Sequence, residues 1–285
     1  MPIELKQVSF TYAPGTVFET IALQEVSFSV EDGEYIGFMG KTGCGKSTLL
    51  QLMVGLMQPT RGQILVDGRD INGRGYNRGE LRKKVGMVFQ YPEIQLFETT
   101  VEKDVAFGLK HSGLSSSEIA DNVRWAIETV GLDFEKTRSV SPFSLSGGEK
   151  RRVAIAGILA AKPKILILDE PIAGLDPMGR DAFLDLTRKL NADGTTIIMV
   201  SHNADALAEN AHRVIVLEAG RLALDRNVKD AFKDVALIEK LGVGVSQARV
   251  IANLLSKCGF HAEPDIIRYA ELQPLLLSTA KGGRL

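Results

Sequence analysis

The sequence predicts an α/β fold: a parallel-sheet core joined to an antiparallel β part, with an inserted helical subdomain and a C-terminal helical appendage. Three observations predict it. Short apolar runs at Tyr35–Met39, 165–168 and Thr196–Val200 alternate with glycine-rich or acidic loops and helical stretches, as strands of a covered parallel sheet do. Near the N-terminus, Val26-Ser27-Phe28-Ser29-Val30 alternates with period two, the mark of a half-buried strand. From residue 100 to 130 the period turns helical, and beyond about Val228 strand signals vanish.

Taken in order, residues 3–10 alternate loosely and read as a strand, as do 26–30. Glu31-Asp32-Gly33-Glu34 is a turn. Tyr35–Met39 is a short buried strand, a glycine-rich loop follows, and 46–56 reads as a helix. Further strands are expected at 64–66 and 85–89. Ser115-Ser116-Ser117-Glu118 offers a helix N-cap, with Val123, Ala126, Ile127 and Val130 on one face. A helix from Ser146 to about residue 161 precedes strand 165–168, and a helix near 179–191 precedes Thr196–Val200. The segment 212–217 is a strand that turns at Gly220-Arg221 into 222–224. This places an α/β unit over 1–227, with its helical subdomain at about 92–160, and a helical extension over 228–285.

Composition removes several classes. The chain has 285 residues, 45% apolar and 24% charged, ordinary values for a globular protein. Lys plus Arg is 34 against 35 for Asp plus Glu, a net charge of −1 that argues against a wholesale grip on nucleic acid. Two cysteines, Cys44 and Cys258, rule out a disulfide framework; Cys258 is expected in buried packing. The first six residues lack a basic region followed by an apolar run, so no secretory signal is expected. The longest apolar stretch, 153–161, falls far short of the roughly 20 residues that span a bilayer. The expected location is cytoplasmic, with any membrane role exercised through a partner.

Three segments carry chemistry. Gly40-Lys41-Thr42-Gly43-Cys44-Gly45-Lys46-Ser47-Thr48 fits G-x-x-x-x-G-K-[ST] between a strand and a helix. Its glycines let backbone N–H groups curl around phosphate oxygens, helped by the helix N-terminus. Lys46 reaches the terminal phosphates and Ser47 offers its hydroxyl to Mg²⁺. Cys44 has no chemical role there, though a helix end favours its thiolate and hence alkylation. Next, strand 165–168 runs into Asp169 and Glu170. Asp169 stands at a strand C-terminus, where α/β sheets place ligands, and can hold Mg²⁺ through water. Glu170 is the candidate to polarise an attacking water. Third, Ser146-Gly147-Gly148-Glu149 forms an S-x-x-E capping box whose glycines bare a second anion-binding helix end. It reads either as a well-capped helix or as a γ-phosphate site for an ATP held by another subunit.

Leu-Ser-Gly-Gly-Glu between a phosphate loop and an Asp-Glu strand resembles the ATP-binding-cassette (ABC) family, over roughly residues 3–225. The resemblance implies roles for further residues. Gln90, after strand 85–89, matches the glutamine that senses Mg²⁺ and the transmembrane partner. Asp176, in Gly174-Leu175-Asp176, matches the D-loop, and His202 matches the switch histidine, a γ-phosphate contact. Tyr12 resembles the adenine-stacking aromatic, with Phe10 and Phe18 as competitors. Ile172 departs from the Ser or Thr common after Asp-Glu-Pro, at a position without catalytic role.

DNA-repair and chromosome ATPases insert a long coiled coil between these motifs, and soluble ABC translation factors carry two cassettes; neither fits this spacing. The start from Tyr12 to Leu23, the strip Tyr91-Pro92-Glu93-Ile94-Gln95-Leu96-Phe97 and Arg151-Arg152-Val153-Ala154-Ile155-Ala156-Gly157 resemble the ATPases of energy-coupling factor (ECF) transporters, the second paralogue in particular. Dedicated cobalt, nickel or biotin importers are the alternative. The resemblance implies ATP and Mg²⁺, a second ATPase subunit (a paralogue or another copy), a transmembrane T-component docked at residues 90–97, an S-component contacted indirectly, and uptake of vitamins or metal ions from the cytoplasmic face of the cell membrane. The 90–97 strip either docks that partner or merely joins subdomains. The tail places Ala248, Ile251, Ala252 and Leu255, then Leu272, Leu275 and Leu276, at helical spacing; it either pairs subunits or packs on its own cassette. Residues 281–285 are expected as a frayed end.

Overall fold

The computed structural model describes residues 2–260, 262–263 and 265–281, with side chains through 277. Its strands are β1 (Ile3–Tyr12), β2 (Thr20–Val30), β3 (Tyr35–Met39), β4 (Arg61–Val66), β5 (Arg69–Asp70), β6 (Val85–Val88), β7 (Ile165–Asp169), β8 (Thr196–Val200), β9 (Arg213–Glu218) and β10 (Arg221–Asn227). One sheet has the order β2-β1-β4-β5 and is antiparallel; the other runs β10-β9-β3-β8-β7-β6. In the second, every pairing is parallel except β9 with the edge strand β10. The mixed architecture matches the fold class expected from the sequence.

The parallel strands read as continuous apolar runs because both faces are covered, and alternate side chains enter different cores. Ile36 and Phe38 of β3, Ile165 and Ile167 of β7, and Ile198 and Val200 of β8 face the antiparallel sheet. Tyr35, Leu166, Leu168, Ile197 and Met199 face the helical layer.

The helices begin with α1 (Lys46–Met53). It stops short of the expected residue 56 because Gly55 takes φ +71° and Leu56 N–H turns back to the Gln51 carbonyl at 2.9 Å. After α2 (Arg78–Lys84), the helical stretch 100–130 divides into α3 (Val101–Ala106), a 3₁₀ turn and α4 (Ser116–Thr129). The break sits at Gly113, φ +80°, and the Ser115–Glu118 capping box starts α4 as expected. Next come α5 (Phe134–Thr137), α6 (Gly147–Leu159), α7 (Pro177–Ala192) and α8 (Ala204–Asn210).

The C-terminal segment holds α9 (Val228–Lys233), α10 (Val235–Lys240), α11 (Gln247–Lys257) and α12 (Tyr269–Lys281). A boundary set by composition at Val228 falls inside the main core. Val228, Ala231, Phe232 and Ile238 are buried in the cluster that contains Leu168 and Met199. Among the described residues of this segment, only Ala248, Ala252, Ile266 and Leu272 form a separate cluster, between α11 and α12, with Ile251, Leu255 and Leu275 against it. This hairpin is bolted to α8: Gln247 N–H donates to Asp205 at 2.7 Å, Arg268 Nε to the Ala208 carbonyl at 2.8 Å, and Tyr269 N–H to Glu209 at 3.0 Å. Of the apolar residues noted in the tail, all but Leu276 therefore pack in that cluster within their own chain, while Leu276 is exposed, as are Val250, Leu254 and Leu277. Cys258 corrects its expectation: it is exposed, at the C-cap of α11. Residues 282–285, most of the expected frayed end, lie outside the described residues. No helix among the described residues is long and apolar enough to cross a membrane.

Candidate functional site

In the order β3-β8-β7-β6, four neighbouring parallel strands end on the same edge. The loops that leave them hold the phosphate loop, Ser201–Asn203, Asp169–Glu170 and Gln90. A cavity of about 910 Å³ opens there, lined among others by Thr42, Gly43, Gly45, Lys46, Ser47 and Thr48. Gln90, Asp169, Glu170 and His202 line it as well, with Tyr12 at the edge. Its size falls in the range of small-molecule sites, and its position is where α/β sheets bind ligands.

The loop needs glycine at two points. A Cβ on Gly40 would lie 2.4 Å from the Leu217 carbonyl oxygen, and one on Gly45 would lie 2.6 Å from that of Ala22, both at positive φ. Gly45 is the N-cap of α1 and provides no side-chain cap, which leaves the first-turn N–H groups for a ligand. Lys46 is buried and donates to the carbonyls of Gly40 at 2.6 Å and Lys41 at 3.1 Å. Lys41, Gly40 and Cys44 support the loop from outside the cavity. Lys41 runs its side chain over Gly242, and Cys44 is buried, which shields the thiol from the alkylation expected of it.

Burial raises the pKa of Asp169; the Ser47 hydroxyl beside its carboxylate and the charge of Lys46 oppose this. A hydroxyl and a carboxylate meeting beside a phosphate loop suit Mg²⁺, which takes one or two protein oxygens and completes its shell with phosphates and water. Among the described residues no group of three or more His, Cys, Asp or Glu is placed to hold a metal ion. Burial also raises the pKa of Glu170, against the pull of His202. Glu170 adopts φ +49°. Its Oε2 accepts the His202 N–H at 3.4 Å, while buried Oε1 has no hydrogen-bond partner. His202 Nε2 approaches Oε1 at 3.4 Å without hydrogen-bond geometry. An unpaired carboxylate oxygen facing a polar cavity is a ready acceptor for a water proton.

Tyr12 is half exposed, and its hydroxyl lies 2.9 Å from Thr48 Oγ1. Of its two competitors, Phe10 packs edge-on against Tyr12 and Phe18 stands out in solvent; neither lines the cavity. The structure does not bring Ser146, Gly147, Gly148, Glu149 or Asp176 into the cavity. Ser146 and Glu149 close the expected capping box, with Ser146 N–H donating to Glu149 Oε2 at 2.9 Å; the Ser146 hydroxyl and amide lower the Glu149 pKa. Gly147 and Gly148 are exposed with open space around them. Asp176 caps α7, accepting the Gly179 N–H at 2.7 Å. Sequence reasoning missed Arg180, Ser201 and Asn203 in the cavity wall. Ser201 and Asn203 flank His202 and were within reach of the strand-end argument, but nothing local marks Arg180.

Comparison with known proteins gives the same answer as the geometry. A family profile described as ABC transporter matches residues 23–173. The "Energy-coupling factor transporter ATP-binding protein EcfA2" of Clostridium perfringens is 46% identical over 97% of this chain and 98% of its own length. The protein of that name from Symbiobacterium thermophilum is 46% identical, over 95% and 94%. Among solved structures, cbiO1 from Clostridium perfringens, described as part of the ABC transporter complex cbiONQ, matches with TM-score 0.74 and 35% identity, covering 89% of this chain and 98% of that one. A dimeric ATP-binding cassette, MJ0796, in a post-hydrolysis state with ADP and Pi, matches with TM-score 0.69 and 31% identity over 79% and 98%. The chain belongs to the ABC family as the ATP-binding subunit of an energy-coupling factor transporter, which binds ATP with Mg²⁺ and couples its hydrolysis to import.

Proposed function

We propose that two such ATPase subunits, paralogues or copies, sandwich ATP between the phosphate loop of one and the Ser146–Glu149 helix end of the other. What carries the reading is the separation described above. Lys46, Ser47, Asp169, Glu170 and His202 surround one cavity, while the second anion-binding helix end stands exposed outside it. Lys46 and the α1 N-terminus bind the phosphates, Tyr12 carries the adenine, and Gln90 with His202 contacts the γ-phosphate side. Ser47, Gln90 and Asp169 would hold Mg²⁺, which when bound would neutralise phosphate charge. Glu170 orients water and takes its proton at Oε1. Asp176 lies on the α7 cap, beside the facing subunit. Catalysis is then mainly positioning and charge stabilisation.

Within residues 90–97, exposed Tyr91, Ile94 and Phe97 form the surface for the transmembrane component. The substrate-binding component is reached through it, and the complex sits on the cytoplasmic face of the membrane. The cargo is a vitamin or metal ion. Exposed Val250, Leu254 and Leu277 extend the pairing surface between ATPase subunits. Sedimentation of Glu170→Gln with ATP and Mg²⁺, alone and with its paralogue, tests the sandwich. ATP-dependent pairing is expected, and Gly148→Asp should abolish it without unfolding, since a side chain there meets open space. Normal turnover by a monomer would overturn the reading.

A further inference from the structure

Arg151, in the second turn of α6, is a charged residue that the nucleotide reading does not use. It is only 6% exposed. Its guanidinium donates to the carbonyls of Ala173 (3.0 Å) and Pro171, the turn that follows Glu170. That turn is closed by Ala173 N–H donating to the Glu170 carbonyl at 3.2 Å, and Glu170, Ile172 and Ala173 face the cavity. Arg151 thus clamps the Glu170 turn from behind.

The clamp has an unfilled position. Arg151 Nε is buried with no acceptor, and Glu93 Oε2 is buried with no donor. Glu93 belongs to the 3₁₀ turn Pro92–Gln95, which packs against α6. Burial lowers the Arg151 pKa and the Glu93 charge works against that, so the two groups already feel each other. A buried unpaired donor and a buried unpaired acceptor each carry a desolvation penalty, which pairing the two would relieve.

We propose that Arg151 is a positioning residue that relays movement of the Pro92–Gln95 turn, through Glu93, to the Glu170 turn. Seating a transmembrane partner on Tyr91, Ile94 and Phe97 pairs Glu93 with Arg151 Nε and so sets the rate of hydrolysis. This rests on the proposed docking role of residues 90–97.

The test uses the complex purified with its membrane partner and the ATPase subunits without it. Arg151→Gln is expected to lower kcat by about tenfold to 10²-fold, the scale of a small misplacement of a catalytic group. KM for ATP should stay within about twofold, because the phosphate loop is untouched. Stimulation of the ATPase by the partner should be lost, and Arg151→Lys should restore part of it. Adding Glu93→Gln to Arg151→Gln should cost no further stimulation. Full co-purification of Arg151→Gln with undiminished stimulation would overturn the relay while leaving docking intact; full co-purification of Ile94→Asp would overturn docking itself. If Arg151→Gln does not fold, Glu93→Gln measured alone and with Arg151→Lys decides: additive losses of stimulation refute the relay, and non-additive losses support it.

Discussion

Replacing Glu170 with Gln should separate binding from chemistry and, at neutral pH, stabilise the fold. The carboxylate is mostly buried, Oε1 has no hydrogen-bond partner, and burial raises the pKa. Gln keeps the length and the Oε2-type acceptor for the His202 N–H, but loses the base. Loss of a general base costs about 10²–10⁴ in rate, or about 2.7–5.4 kcal/mol of barrier at about 1.36 kcal/mol per decade. Lys46, Ser47 and Asp169 are untouched, so ATP affinity should hold. The pH signs follow from the raised pKa. Activity of the unaltered enzyme should fall as pH drops through a value above the ordinary carboxylate, and that acid limb should vanish in the variant. For stability, the folded chain binds this proton more tightly than the unfolded chain. Its contribution is therefore complete below the unfolded pKa and is lost as pH rises through the folded pKa. The variant should melt higher at about pH 7.5, with the gain shrinking toward about pH 5. ATPase rates, calorimetric ATP binding and thermal melts at both pH values make the assay. Near-normal turnover would remove Glu170 from catalysis, loss of ATP binding would make it structural, and a lower melting temperature at pH 7.5 would refute the burial argument.

Lys46→Ala should weaken ATP binding by about 10–10²-fold, the worth of a charged hydrogen bond, and unchanged calorimetric affinity would show the loop misread. Ile94→Asp should leave the melting temperature unchanged and abolish co-purification with the transmembrane partner, because Ile94 is 79% exposed; Leu96→Asp in the same strip should instead unfold the chain at a cost of several kcal/mol, since Leu96 lies in the core. Phe232→Ala should cost about 3–5 kcal/mol in denaturant unfolding, as for any fully buried phenylalanine, and a chain ending before α9 should fail to fold. Gly242→Ala should cost about 1 kcal/mol in the same assay, mostly from its φ of +69°, because the overlapping Lys41 side chain is free to swing away.

The sequence was most legible where spacing along the chain encodes backbone shape. The phosphate loop, the Asp169-Glu170 strand end, the Ser146–Glu149 cap and the five parallel strands could all be found that way. It was least legible where burial depends on elements distant in sequence. In the strip at 90–97 a 3₁₀ turn sends Ile94 outward and Leu96 into the core, and eight residues show no period that would separate them. Arg151 looks like a solvated charge until the carbonyls of Pro171 and Ala173 are seen around it. Composition changes at Val228, yet Phe232 is as buried as Phe38, because α9 covers a sheet face that no local signal announces. Cys258 errs the other way: an apolar residue beside an apolar helix face that stays in solvent.

These points meet in α6. Its capping box spends Ser146 and Glu149 on each other and on the Glu149 N–H. The N–H groups of Gly147 and Gly148 are left at an exposed end, since the first N–H groups of a helix have no partner within it. One turn on, the buried face of the same helix holds the turn that carries Glu170 through Arg151. On the proposed sandwich, a phosphate of the facing subunit would meet the N-terminus of the same helix that carries Arg151. On the two proposals above, pairing and docking would act on the Glu170 turn by two routes, the α6 end facing the neighbour's nucleotide and Glu93 lying beneath the docking strip. The expected outcome is slow hydrolysis by the chain alone that rises when its paralogue and membrane partner are added, and a lone chain turning over at the rate of the full complex would refute this.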